Sequence, residues 1–130
     1  MKGLILFISI LISYSVFAQD SIQIYSLIQQ SKEALKKSDV NNALKYTHQS
    51  LSLSSQKQNY KGVASANNQL AFIFESQSNY DSANYYLNST VELATKYQLK
   101  NELASAHNLI GLVLWHQSQY KEALPHHAIS

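Results

Sequence analysis

The chain has 130 residues, with ten lysines, no arginine, eight acids and no cysteine, giving a formal net charge of +2. That length holds one domain at most, and a charge this small, without arginine forks or a basic cluster, excludes the usual means of reading nucleic acid. The absence of cysteine leaves packing alone to hold the fold and removes thiolate as a metal ligand.

The first element is a leader. Met1-Lys2 precedes an uncharged apolar run from Gly3 to Phe17, and Val16-Phe17-Ala18 sets small or compact residues at the −3 and −1 positions of a cleavage site. A basic start, an apolar middle and a small-residue exit mark an export signal over residues 1–18, with cleavage after Ala18 and a secreted or periplasmic destination. The same features fit an uncleaved anchor, although the run falls short of the roughly 20 residues that a spanning helix needs. No later apolar run approaches that length, so no further membrane span is expected. Without Lys2, nine lysines face eight acids.

Residues 19–130 repeat at an offset of 40. Val63 to Phe74 lies over Leu103 to Leu114, Gln77-Ser78-Asn79-Tyr80 over Gln117-Ser118-Gln119-Tyr120, and Ala83 over Ala123; a weaker step back aligns Ala43, Tyr46 and Leu53 with Ala83, Tyr86 and Leu93. The units span about 22–59, 62–99 and 102–130. In the first, the polar break Lys37-Ser38-Asp39 precedes a helix expected from about Val40 to Gln58, with Asp39 as its N-cap. In the second, Val63, Ala66, Leu70, Ile73 and Phe74 step by three and four, the spacing of one helix face. Gln77-Ser78-Asn79 then breaks the pattern, and a helix from about Tyr80 to Tyr97 follows. The third unit repeats the first helix through Leu103, Ala106, Ile110, Val113 and Leu114, with a break expected at Gln117-Ser118-Gln119.

Three columns hold only small residues: Ser31, Ala71 and Gly111; Ala43, Ala83 and Ala123; Ser50, Thr90 and Ser130. Small residues at fixed points let two helix backbones approach closely. No alternation of strand type persists, so the fold expected is all-α, with two helices per unit.

These columns resemble the tetratricopeptide repeat. Leu70-Ala71 and Ile110-Gly111 look like that family's leucine-glycine pair, Tyr80 and Tyr120 like the aromatic that opens the second helix, and Ala83 and Ala123 like its packing alanine. The resemblance covers nearly all of residues 22–130 and implies a right-handed solenoid of antiparallel helix hairpins, about two and a half to three repeats long. The period of 40 exceeds the family's usual length of about 34, as in its extended bacterial members. Ser38, Ser78 and Ser118 stand where the family prefers glycine; where that position needs positive φ, each serine costs ~1 kcal/mol. The first unit is the least regular, with Gln30 in the column of Leu70 and Ile110.

The third unit's second helix meets Pro125 after roughly two turns, and a proline beyond the first turn removes a backbone hydrogen bond. Either that helix kinks and frays or the chain is the front portion of a longer protein, and the incomplete third unit favours the latter.

The resemblance also implies a function. Such arrays bind proteins or peptides on the face lined by the first helices, and the inward positions carried over are Ser65, Asn68, Phe72, Glu75 and Ser76, then Ser105, Asn108, Leu112, Trp115 and His116. An asparagine amide offers two donors and an acceptor, enough for one peptide group of an extended ligand, and Asn68 and Asn108 lie one repeat apart. Trp115, the only tryptophan, suits an interface anchor. The five histidines lack metal-site spacing: His107 and His116 fall on opposite sides of a helix, and no carboxylate accompanies them at i+3 or i+4. No nucleophile-base pair or phosphate-cradling loop is present. The expectation is an exported scaffold for a protein or peptide ligand, with no cofactor, metal or catalytic residue. The alternative is the periplasmic sensory front of a membrane histidine kinase or transcriptional regulator.

Overall fold

The computed structural model describes the backbone of residues 2–129 and the side chains of residues 2–122. Five helices follow one another, α1 (Lys2–Lys36), α2 (Val40–Gln56), α3 (Tyr60–Ser76), α4 (Tyr80–Lys96) and α5 (Lys100–Ile129), and no strand occurs among the described residues. The all-α expectation is met. The helix ends differ slightly from those expected: α2 and α4 stop at Gln56 and Lys96, and α3 starts at Tyr60 because Asn59 caps it.

Three-residue connections separate the helices, and each does two jobs. Their middle residues, Ser38, Gln58, Ser78 and Gln98, have φ of 58°, 52°, 59° and 56°. None is glycine, so each carries the Cβ penalty of the left-handed region, about 1–2 kcal/mol. What offsets it is the hydrogen bonding that this conformation permits. Past each left-handed residue, the next backbone N–H reaches back five residues: Asp39 to the Ala34 carbonyl, Asn59 to Ser54, Asn79 to Phe74 and Leu99 to Ala94, all at 2.8–2.9 Å. This closes a Schellman motif and satisfies a carbonyl that the helix end leaves open. In three of the four connections the same residue then caps the next helix. The side chains of Asp39, Asn59 and Asn79 accept from the N–H groups of Asn42, Gly62 and Ser82 at 3.2, 2.9 and 3.3 Å.

The break expected at Gln117-Ser118-Gln119 does not form. Helix α5 runs unbroken through these residues, which corrects the reading of a third hairpin turn. A contributing difference is Gln119, which stands where Asp39 and Asn79 stand. Its carbonyl is one methylene further out and does not suit the N-cap role that the shorter side chains fill. A missing cap removes one contribution that offsets the left-handed cost at Ser118, although the turn at Gln98 forms beside Leu99 without one. Pro125 and the remainder of the expected second helix fall at residues 123–130, outside the described side chains.

Contacts fix the relative directions of the helices. Tyr60 stacks on Tyr97 and Phe74 on Tyr86, with ring centroids 4.0 and 5.7 Å apart, so α3 and α4 run antiparallel. Across α1 and α2, Thr47 Oγ1 donates to Ser31 Oγ at 2.6 Å and Ser50 Oγ to the Ile24 carbonyl at 2.9 Å, the same antiparallel order. Helices α1, α3 and α5 instead pack side by side and parallel. Gln69 Nε2 donates to Ser31 Oγ at 3.2 Å, and Asn68 Nδ2 donates to the Glu102 carbonyl at 3.0 Å.

The core contains Ala71, Ala83, Leu87, Ala106 and Val113, flanked by Phe74, Tyr86, Leu109 and Ile110. Each large apolar side chain fully buried contributes about 1.5–3 kcal/mol. In the small-residue columns, Ser31 and Ala71, Ala43 and Ala83, and Ser50 and Thr90 are fully buried, as close helix approach requires. Gly111 departs from its column: a Cβ built there meets nothing within 4 Å.

The apolar start of α1 behaves differently from its end. Burial begins at Asp20 and Ser21, whereas Leu4, Phe7, Leu11 and Phe17 are all more than half exposed. Because the helix is continuous, an apolar stretch of it is long enough to cross a membrane by length and composition, and none of that stretch is buried. This N-terminal helix fits a signal sequence or a membrane anchor. No other helix among the described residues meets the same test.

Candidate functional site

The parallel arrangement of α1, α3 and α5 leaves a groove of about 910 Å³ along one side of the molecule. Its apolar surface comes from Ile28 and Leu35 of α1, Val40 of α2, Phe72 of α3 and Leu109 of α5. Phe72 is 40% exposed, unusual for a phenylalanine in the middle of the array. Lys32 and Lys36, one turn apart on α1, form one rim; Asn101, Glu102 and Ser105 of α5 form the other. Lys36 Nζ also meets Glu33 Oε1 at 3.2 Å, and Lys61 approaches Glu102 Oε1 at 4.0 Å from α3. Tyr25 lies close enough to feel Glu102. Its phenol titrates above the ordinary value, chiefly through burial and secondarily through that carboxylate's charge.

The structure brings together only part of the expected inner face. Ser65, Asn68, Phe72 and Ser76 of α3 and Ser105 of α5 line the groove. Asn108, Leu112, Trp115 and His116 do not, and neither does Glu75. Glu75 is buried, and its carboxylate meets His116 Nδ1, tying α3 to α5. Asn108 and Trp115 are exposed, and Trp115 is 58% so. Leu112 is half-buried.

The two asparagines thus have different surroundings despite their identical register. Asn68 is 8% exposed; its amide is committed to the Glu102 carbonyl, and its Oδ1 is buried with no hydrogen-bond partner. Among the described residues, no helix lies beside Asn108 to receive the equivalent bond. The shared column therefore marks the contact between neighbouring first helices.

Residues that sequence reasoning missed lie mainly in α1. Lys32 and Lys36 occupy the columns of Phe72 and Ser76 forty residues earlier, so carrying the inward columns into the first unit would have found them. Gln69, which is not among the inward positions carried over from the family, also lines the groove while donating to Ser31. Among the described residues, no three histidine, cysteine or carboxylate side chains gather as a metal site would require.

Compared with known proteins, the chain matches no family model, no curated protein and no solved structure.

Proposed function

We propose that this chain is an exported binding scaffold, a right-handed solenoid of tetratricopeptide-like hairpins that holds a peptide or protein segment in the groove of α1, α3 and α5. The observation that carries the reading is Phe72: a large apolar ring left open in a groove between three parallel helices, with polar groups on both rims. A ligand segment with apolar side chains covers Phe72 and Leu109, and an acidic residue on it faces Lys32 and Lys36. The forty-residue register, the small-residue columns and the repeated turn chemistry support the tetratricopeptide assignment. The scaffold reading assigns no reaction to these residues.

Residues 1–18 act as the export signal in this reading, supported by an apolar helix whose burial against the remainder starts only at Asp20. Expression in a bacterial host with an oxidising periplasm, followed by intact-mass measurement, tests it. The exported product begins at Gln19, whereas an uncut chain in the membrane fraction establishes an anchor instead.

The groove is tested by selecting peptides from a random display library against the full chain and titrating the best binder. Phe72→Ser weakens that binder about tenfold or more, while Tyr85→Ser, on an exposed ring of α4, leaves it unchanged. Equal affinity for both variants removes the groove from the function.

A further inference from the structure

The part of α1 that the fold holds begins almost where export would cut the chain. Residues 2–19 are all exposed, and Asp20 is the first that is not. Its Oδ2 meets Lys57 Nζ at 3.3 Å, which ties the start of the packed region to the connection between α2 and α3. One turn further on, Ile24 is 1% exposed and its carbonyl accepts from Ser50 Oγ at 2.9 Å. Cleavage after Ala18 therefore leaves a single residue, Gln19, ahead of the first one held in place.

That residue has a reaction of its own. In the uncut chain the Gln19 nitrogen belongs to a peptide bond inside α1. Once cut, it is a primary amine held by its own side chain within five-membered-ring distance of the carboxamide carbon Cδ. Such intramolecular placement replaces a bimolecular encounter. The amine lone pair attacks Cδ, a new N–Cδ bond forms, and the bond from Cδ to Nε2 breaks. Nε2 leaves as ammonia, carrying the proton that the attacking amine gives up. The product is the lactam pyroglutamate, and no oxidant or second reactant is consumed.

Three features of the structure suit this closure. Gln19 is exposed, so its side chain is free to fold back on the new terminus. The Asp20 carboxylate is already engaged by Lys57, so it is not free to hold the new amine as an ammonium. Cutting also moves the positive end of the α1 dipole to residue 19, where a positive charge is unfavourable. Ring closure removes that charge and leaves Asp20 to Lys57 without a competing cation.

Building on the export reading, we propose that residue 19 of the exported chain is a modification site, its glutamine closed to pyroglutamate. The ring leaves no free amine for an aminopeptidase to grip. With so short a lead this matters to the fold, because trimming two residues would remove Asp20 and its tie to Lys57.

The test exports the full chain from a bacterial host, holds the purified mature protein at neutral pH and follows its intact mass with time. The expected product lies about 17 Da, one ammonia, below a chain that begins at Gln19. Its N-terminal peptide takes no amine-directed label at residue 19, and a pyroglutamyl peptidase exposes Asp20 as the new first residue. Gln19→Asn keeps its free amine, because the same attack would close a four-membered ring, and an aminopeptidase that spares the parent trims this variant. A parent that begins at Gln19 and retains its full mass and free amine overturns the modification while the export reading stands. A parent trimmed as fast as Gln19→Asn does the same. An uncut chain, or one cut at another bond, overturns both.

Discussion

Asn68 Nδ2 donates to the Glu102 carbonyl at 3.0 Å, a bond between residues 34 apart in sequence that joins two neighbouring parallel helices. Its partner is a backbone group, so the tie persists whatever side chain occupies position 102.

The bond predicts unequal effects from two substitutions that the sequence register makes equivalent. Asn68→Ala loses a buried hydrogen bond and lowers unfolding free energy by about 1 kcal/mol. The loss is moderated because the buried, unpartnered Oδ1 leaves as well. Asn108→Ala changes an exposed residue and stays within about 0.5 kcal/mol of the parent. Urea denaturation of both variants measures the difference, and equal losses would contradict the assignment.

The connections predict opposite signs for one chemical change at two serines in the same column. Ser78 has φ of 59°, so Ser78→Gly relieves the Cβ strain and, after the entropy of the more flexible unfolded chain, stabilises by about 0.5–1 kcal/mol. Ser118 sits inside α5, where Ser118→Gly destabilises by about 0.5 kcal/mol through helix propensity. Thermal melts followed by circular dichroism separate the two outcomes. Stabilisation at both positions would mean that a turn forms at 118 after all.

Two glycines provide a third test. At Gly62 an added Cβ would lie 2.5 Å from Ser54 Oγ and 3.1 Å from both Ser54 Cβ and Ile24 Cγ2. Rotating the Ser54 hydroxyl removes only the first of these contacts. Gly62→Ala therefore costs about 1–2 kcal/mol of overpacking, despite alanine's better helix propensity. Gly111→Ala meets no atom and gains up to about 1 kcal/mol from propensity. Chemical denaturation reads both values.

Much of this fold could be read from residue spacing. Ser31 with Ala71 and Ala43 with Ala83 are buried where expected, Asp39 and Asn79 cap their helices, and Ser38 and Ser78 adopt the positive φ that their position demands. What spacing could not supply was the consequence of a neighbour's presence. Asn68 and Asn108 differ only in whether a parallel helix lies alongside, and the same holds for Ala71 and Gly111. The absence of a turn at Ser118, where α5 continues, goes with Gln119 in place of Asn79, a change that a column of polar residues conceals. Glu75, expected to face a ligand, instead meets His116 across α3 and α5, a pairing between units that residue spacing within one unit does not show.

The left-handed residues at 38, 58, 78 and 98 recur every twenty positions, and α2, α3 and α4 each have 17 residues. Each of these rods is therefore about 25 Å long, and the connections gather at two opposite edges of a slab. This makes the molecule's tolerance of added or deleted residues periodic. Extra residues at an edge lengthen a surface excursion at small entropic cost. One residue gained or lost inside a rod rotates everything beyond it by about 100°, taking every later small residue out from under its neighbour. Tolerated insertions and deletions are therefore expected at the edges, or in whole forty-residue hairpins.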